Sequence, residues 1–480
     1  MKKLTSNYIF VLLYNLITII TPLFTTPYVS RVLGPNNIGV DAYVNSIVQI
    51  FLVFILLNIG VYGRKQIASA RTKELLHEEF CSIYSVQFMT TIIVMFFYFL
   101  YVNQVSNFQD IFLLYGITLL ATGLDIAWYF IGLEKVKQIM IRNILVRLLS
   151  IISIFLFVKN KDDLWIFVLI NSAALFAGQV VTWGSIFKEL KQIRLTFKGI
   201  KKHIGPILTL SIVPCVSMLY LSINKVFLGK MADSVDVGFY NQAYKLIIIC
   251  LGFINALSTV IMPKMVQHYS NGEEAEYRKL ITFSVNYLFF TTLPLTVLLI
   301  LLANLLVPIF LGTAFTPASN ILITLAPVLI LTGLTDIFGV QILLIRERNR
   351  AYAISVIFGA IIGVGVNALL LPHLKSIGTA VAHVISILAS LLLQMYSSRD
   401  VLEFRNLVGS LLKYLLFSII MGLFVVFVGK LIIRQGAVQL LIVEVITAII
   451  IYAGLLFISK DRILYQILNR KERKYLWLKK

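Results

Sequence analysis

Apolar runs of about 20 residues recur along nearly the whole sequence, and this recurrence decides what the chain can fold into. A helix needs about 20 apolar residues to cross the roughly 30 Å hydrocarbon core of a bilayer. The 480 residues are 59% hydrophobic and 13% charged, with a mean hydropathy of +0.91, more apolar surface than a soluble core can hide. Strands of a membrane barrel would be shorter and would alternate apolar with polar residues, so the chain reads as an all-α integral membrane protein. Spans fall at about 8–30, 41–63, 80–102, 110–132, 142–158 and 164–187, then 206–228, 237–262, 280–302, 322–345, 351–372 and 376–398, and last 408–429 and 437–458. The total is about fourteen transmembrane helices. The first run has no small-residue cleavage site near its end and leads into Pro22 and Pro27, which marks a retained helix and not a signal peptide. Cys81, Cys215 and Cys250 lie in or beside apolar runs without metal-type spacing and read as packing residues.

The distribution of cations gives an orientation. With both tails and every second loop taken as one side, that side holds 31 of the 42 Lys and Arg residues and the opposite loops hold 8. The positive-inside rule then places both termini in the cytoplasm and requires an even number of spans. Arg147, Lys245 and Lys413 are the remaining 3, inside spans. The net charge of +20 therefore reflects topology and attraction to anionic headgroups, and no nucleic acid is expected as a partner. The basic tail Arg470 to Lys480, with Trp477, is expected to lie on the membrane surface.

The stretch from Thr25 to Asp41, TTPYVSRVLGPNNIGVD, interrupts the apolar pattern with prolines and glycines and sets Arg31 at the break. A related pattern follows span seven. Val32-Leu33-Gly34, Ile38-Gly39 and Tyr43 are echoed by Phe227-Leu228-Gly229, Val237-Gly238, Tyr240 and Tyr244, with offsets of 195 and 199 at the glycines. In span four, Thr122-Gly-Leu-Asp-Ile126 is echoed in span ten by Thr332-Gly-Leu-Thr-Asp-Ile337, offset by 210 to 211. Copies six spans apart keep one orientation, so the first twelve spans read as two six-helix lobes in parallel repeat, with two C-terminal helices added. The expected divisions are an N-lobe at 1–203 with spans 1–6 and a basic cytoplasmic linker, a C-lobe at 204–400 with spans 7–12, and 401–480 with spans 13–14 and the basic tail. The linker, Lys188 to His203, reads as an amphipathic surface segment.

Two stretches carry a family resemblance. Asp125-Ile-Ala-Trp-Tyr-Phe-Ile-Gly-Leu-Glu134 with Ile141-Arg-Asn-Ile144, and Thr26-Pro-Tyr-Val-Ser-Arg-Val-Leu-Gly34, resemble signatures of the Wzx-like polysaccharide biosynthesis family of oligosaccharide flippases. That family belongs to the MOP (multidrug/oligosaccharidyl-lipid/polysaccharide) superfamily, and the resemblance covers nearly the whole chain in span count and order. The chain departs from it at Asn224-Lys225 and Tyr244-Lys245, where the family commonly sets an acidic residue before the lysine. The resemblance implies a two-lobed transporter of the bacterial plasma (inner) membrane. It would flip undecaprenyl-pyrophosphate-linked oligosaccharide repeat units for cell-surface polysaccharide export, by alternating access around a cationic cavity.

A pyrophosphate headgroup cannot cross hydrocarbon unaided, so fixed cations in a wet cavity are required. Arg31, Lys225 and Lys245 are the candidates; the competing reading is that each snorkels to the interface. Trp128, Tyr129, Tyr220, Tyr240, Asn241, Gln242 and Tyr244 lie near span ends or polar breaks and are candidates for sugar contact, against a competing role in packing or the interface belt. Asp125, Asp336 and Glu444 are the deep acids, for ion coupling or for locking helices together, and Arg147 is expected to pair with Asp125. No cofactor is expected; a proton or sodium gradient is the candidate driving force. Membrane lipids, and a polysaccharide polymerase with export machinery, are the candidate partners. The five histidines are scattered, and no metal pair, phosphate loop or nucleophile motif appears, so an enzyme is not expected. Two alternatives stand beside the flippase, a drug or cation antiporter of the same superfamily and a membrane polysaccharide polymerase or ligase.

Overall fold

The computed structural model describes residues 2–189, 195, 197–401, 404–432 and 436–468, and every regular element among them is helical. The helices are α1 (Lys2–Leu56), α2 (Ile59–Ser69), α3 (Lys73–Gln104), α4 (Gln109–Gly123), α5 (Ala127–Gly132), α6 (Val136–Phe157), α7 (Leu164–Glu189) and α8 (Phe197–Met231). They continue as α9 (Ser234–Ser270), α10 (Glu274–Leu311), α11 (Ala318–Leu325), α12 (Val328–Thr335), a π-helix at Asp336–Leu344, α13 (Asn349–Ser397), α14 (Phe404–Leu431), α15 (Ala437–Ile458) and α16 (Arg462–Leu468). All fourteen expected spans have a helical counterpart. The tail Arg470 to Lys480 and much of the expected linker lie outside the described residues, and the linker's end from Phe197 onward is the start of α8.

Several spans are joined or broken in ways that follow from local chemistry. Spans one and two form one continuous run in α1 that changes direction at Gly34, where φ is 73° and ψ is 174°. Positive φ is accessible to glycine without a Cβ clash, and Pro35 then opens the next helix, where its missing N–H costs nothing. Spans eleven and twelve are joined likewise in α13, with the break at Lys375 just after Pro372. A Cβ on Gly378 would lie 2.8 Å from the Leu370 carbonyl oxygen, so these two spans meet at backbone distance. Span four breaks between Gly123 and Ala127 into α4 and α5. At the matching motif in span ten the α-helix widens into the π-helix that begins at Asp336. The second copy of this motif carries one extra residue, Thr335, and a π segment accommodates an inserted residue without ending the helix.

The chain divides into two compact units, Met1–Gly238 and Phe239–Lys480. In the first, Phe80 stacks on Trp128 with ring centroids 5.5 Å apart, and both join Tyr62, Tyr84, Tyr129 and Phe130 in a buried aromatic cluster. In the second, α10, α14 and α15 pack through Leu302, Met421, Val425 and Ala448, and the Tyr452 hydroxyl donates to the Phe290 carbonyl at 2.8 Å. The two C-terminal spans are thereby seated on span nine. Lys413 and the Tyr414 hydroxyl both engage the buried Asp461, whose other oxygen accepts from the first amides of α16.

The repeat read from the sequence reappears as geometry inside the first unit. A Cβ on Gly39 would overlap the Ser234 carbonyl oxygen, and one on Gly238 would overlap the Pro35 carbonyl oxygen. Residues 35 and 234 stand 199 apart, as do 39 and 238, so the contact is reciprocal, as a two-fold axis requires. The Ser234 hydroxyl donates to Asn36 beside it. A second match falls at helix ends. Glu134 and Glu347 both have φ of 58°, and the amides of Lys135 and Arg348 each bond back at 2.8 Å, to the carbonyls of Phe130 and Leu343. Lys135 then pairs with Glu189, and Arg348 with Asp400 at 2.6 Å. Gly39→Ala should therefore cost about 1–3 kcal/mol through overpacking against backbone, whereas Gly365→Ala, with open space around it, should stay within about 1 kcal/mol of wild type. Thermal midpoints of the two purified variants check the contrast.

Candidate functional site

The break in span four is built from its own signature and one polar side chain of span three. The Gln87 amide nitrogen donates to the carbonyls of Thr122, Gly123 and Asp125 at 3.3, 3.1 and 2.8 Å. Its amide oxygen accepts from the Trp128 indole at 3.1 Å, the Trp183 indole donates to the Leu124 carbonyl at 2.9 Å, and Asp125 accepts from the Ala127 amide at 2.9 Å. Together these satisfy backbone groups that the break would leave bare in hydrocarbon. Trp128 and Tyr129 are both buried in the aromatic cluster.

The first-helix signature presents two faces. Thr26, Val29, Ser30 and Leu33 are buried, and the Tyr28 hydroxyl donates to the Val158 carbonyl at 2.7 Å. Arg31 is exposed, on the side of the helix that also exposes Leu13, Ile20 and Phe24. Lys225 lies half-buried on α8 next to the buried Asn224, with Tyr220 buried one turn earlier. Arg31 and Lys225 belong to the first unit, and Lys245, half-buried on α9, belongs to the second.

The expected Arg147–Asp125 pair does not form. Asp125 is coupled electrostatically to Arg142, and it spends its carboxylate on the Ala127 amide. Arg142 sits within α6 and donates to the Gly178 carbonyl, Gln179 and Thr182 of α7 at 2.9, 3.0 and 2.6 Å. Arg147 is half-buried on the side of α6 opposite the exposed Leu145, Leu149 and Ile152. Among the described residues no carboxylate pairs with it.

In the second unit Tyr240, Tyr244 and His383 form one aromatic group. The Tyr240 hydroxyl and His383 Nδ1 are 2.8 Å apart, and the rings of Tyr244 and His383 are centred 5.0 Å apart. Asn241 and Gln242 are buried beside them in sequence. Asp336 accepts from the Ser258 hydroxyl and from the Gln341 amide at 3.0 Å, a closed polar triad at the start of the π-helix. Glu444 is buried on α15 against Gly429 of α14, where a Cβ would collide with its carboxyl, and among the described residues its second oxygen has no hydrogen-bond partner. Sequence reasoning passed over Asp41, buried in span two and accepting from the Tyr115 hydroxyl at 2.7 Å, and over His203 and His383. The available signal was a polar residue inside an apolar run, which says nothing about which partner faces it.

Repeat-related helix breaks and interior cations inside long apolar spans define the class, a multi-pass membrane protein with the architecture of secondary transporters. A family model described as "Polysaccharide biosynthesis protein" matches residues 4–269. The chain belongs to this polysaccharide biosynthesis protein family. It is similar to the Escherichia coli (strain K12) protein named "Putative O-antigen transporter", 23% identical over 75% of this chain and 88% of that protein. The Haloferax volcanii protein named "Probable low-salt glycan biosynthesis flippase Agl15" is 27% identical over 44% of this chain and 45% of its own length. Among solved structures, "Lipid II flippase MurJ, inward closed conformation" superposes with a TM-score of 0.71 over 96% of this chain and 99% of that one, at 16% identity. An inward-facing MATE multidrug transporter of the MOP superfamily gives 0.59 over 81% and 95%, at 15% identity. At such identities these two matches establish the fold.

The span-four signature now has a structural account, and it predicts a cost. Gln87→Leu should leave the Gly123 and Asp125 carbonyls and the Trp128 indole without Gln87, with Thr122 keeping the Asp125 amide, and destabilise the protein by about 2–4 kcal/mol. Trp128→Phe, which removes one donor, should cost less; thermal unfolding of the two variants in detergent gives the ranking.

Proposed function

We propose that the protein is a flippase that carries lipid-linked oligosaccharide repeat units across the plasma membrane of a bacterium, with both termini cytoplasmic, for assembly of a cell-surface polysaccharide. Family membership and the names of the relatives support the substrate class. The observation that carries the mechanism is Arg147, an arginine within a span, turned from the exposed apolar face and matched by no carboxylate among the described residues. A cation held within a span without a protein counter-charge is costly unless an anion visits it. A diphosphate headgroup is such an anion, and a charge-assisted contact with guanidinium suits its oxygens. Arg31, Lys225 and Lys245 complete the proposed cationic path, and Tyr220, Tyr240, Asn241, Gln242 and Tyr244 are the proposed sugar-side groups.

In this reading the polyprenyl tail stays in lipid while the headgroup follows the cations, and two lobes rock to expose the path to each face without nucleotide hydrolysis. Asp125, Asp336 and Glu444 are the candidates for coupling to a proton or sodium gradient. A polymerase and export machinery on the outer face would take the product.

Flipping of a polyprenyl-diphosphate oligosaccharide in reconstituted vesicles tests the reading. Arg147→Ala, Arg31→Ala and Lys225→Ala should each slow flipping roughly tenfold or more at equal insertion, the effect of losing a charged contact of about 1.5–3 kcal/mol. Equal rates in all three would refute the cationic path. A wild type that moves no lipid-linked sugar would refute the flippase and leave the drug or cation antiporter.

A further inference from the structure

Of the three deep acids, Glu444 is the least satisfied. Asp125 accepts from the Ala127 amide, and Asp336 accepts from Ser258 and Gln341. Glu444 is 7% exposed, and among the described residues its Oε2 has no hydrogen-bond partner. Its seat is built by two helical stripes. Leu441, Glu444 and Ala448 share one face of α15, and Met421, Val425 and Gly429 share one face of α14. Leu302 of α10 closes the apolar cluster that Met421, Val425 and Ala448 form. A helical side chain leans toward the start of its helix, so the Glu444 carboxyl reaches from α15 toward the end of α14. There its Oε1 fills the space beside Gly429, 2.3 Å from where a Cβ on that residue would stand.

The helices packed on α15 bring no counter-charge to this carboxyl among the described residues. On α14, Lys413 and Tyr414 engage Asp461 at the opposite end of the helix, and Lys430, next to Gly429, is exposed. On α10 the ionisable residues end at Tyr287. That is short of Phe290, whose carbonyl takes the Tyr452 hydroxyl two turns along α15 from Glu444. Arg434, in the turn between α14 and α15, lies outside the described residues. An ionised carboxyl enclosed by apolar side chains within a span is costly, and a proton removes that charge without any protein partner.

We infer that Glu444 is a proton-binding site: its carboxyl stands as the neutral acid between α14 and α15, seated against Gly429, and it is the one of the three acids that exchanges a proton with a gradient. The first part needs no substrate; the second rests on the transport reading. The acid form also defines the reagent that the site takes, a hydrophobic carbodiimide. The proton of the acid passes to one reagent nitrogen while its oxygen bonds the central carbon. Acyl transfer to the other nitrogen then fixes the adduct, and nothing leaves. A carboxylate has no proton to give.

The full chain in reconstituted vesicles is treated with dicyclohexylcarbodiimide, and adducts are placed by peptide mass spectrometry, with rates corrected for the reagent's measured hydrolysis at each pH. Glu444 should be labelled at about pH 7 within about twofold of its rate at about pH 6, whereas a water-exposed glutamate, with an ordinary value of about 4.3, would lose about tenfold. Asp125 and Asp336 should stay unlabelled; label on either at the rate of Glu444 overturns the choice among the three. Gly429→Ala, which pushes the carboxyl from its seat, should bring back the tenfold dependence, and an unchanged profile overturns the part given to Gly429. No label on Glu444 at neutral pH overturns the proton site. So does label that sodium chloride suppresses and choline chloride at equal strength does not, which assigns a metal cation, and so does a rise in Arg434→Gln, which assigns an ion pair. In vesicles that flip lipid-linked sugar, an imposed proton gradient should speed wild type several-fold and leave Glu444→Gln unchanged; equal acceleration overturns coupling at Glu444. A wild type that is labelled at Glu444 but moves no substrate refutes the transport reading and leaves the proton site standing.

Discussion

In hydrocarbon a backbone N–H or C=O has no water to turn to, and the breaks within the described spans are shaped by that rule. Gln87 answers it in span four, where one amide serves three carbonyls released by the break. The π-helix at Asp336–Leu344 answers it in span ten, keeping the backbone bonded while the helix widens. Gly34 answers it between spans one and two, since a single glycine at positive φ redirects the chain without a loop. The signature residues of span four are therefore occupied first with holding an irregular span together. Trp128, which looks from sequence like a stacking surface for sugar, is a donor in that arrangement.

The same rule governs charge. Polar side chains placed within the spans are mostly neutralised by close partners: Asp41 by Tyr115, Asp336 by Ser258 and Gln341, Arg142 by the α7 acceptors and Asp125. Among the described residues, Arg147 has no carboxylate partner and one Glu444 oxygen has no hydrogen bond, and the two lie in different units. Lys413 shows the contrast, since its apparent place inside span thirteen is resolved by Asp461, which anchors α16.

Helix α8 links these themes. By repeat it is the first helix of the second copy, corresponding to the first half of α1, yet it packs with the first unit. At one end Gly229 abuts Tyr43, and the start of α9 that follows meets Pro35 and Gly39. At the other, His203, Lys202 and Leu210 meet Tyr62, Glu79 and Asn58. A helix fixed at both ends by polar and backbone contacts, with an apolar middle, is suited to having only a few positions.

The sequence by itself determined the helical class, the number of spans and the internal repeat, because length and hydropathy act residue by residue and the bilayer imposes one length scale. The break at Gly34 was legible for the same reason, since glycine and proline state their backbone preference locally, whereas span four reads from sequence as one helix at about 110–132. Tertiary structure decided which groups meet. Arg142 rather than Arg147 faces Asp125, Gln87 caps span four, and two histidines without a motif become buried partners of tyrosines. Pairings of this kind depend on helix rotation and crossing across more than a hundred residues of chain, as from Tyr62 to His203, and no local pattern encodes them.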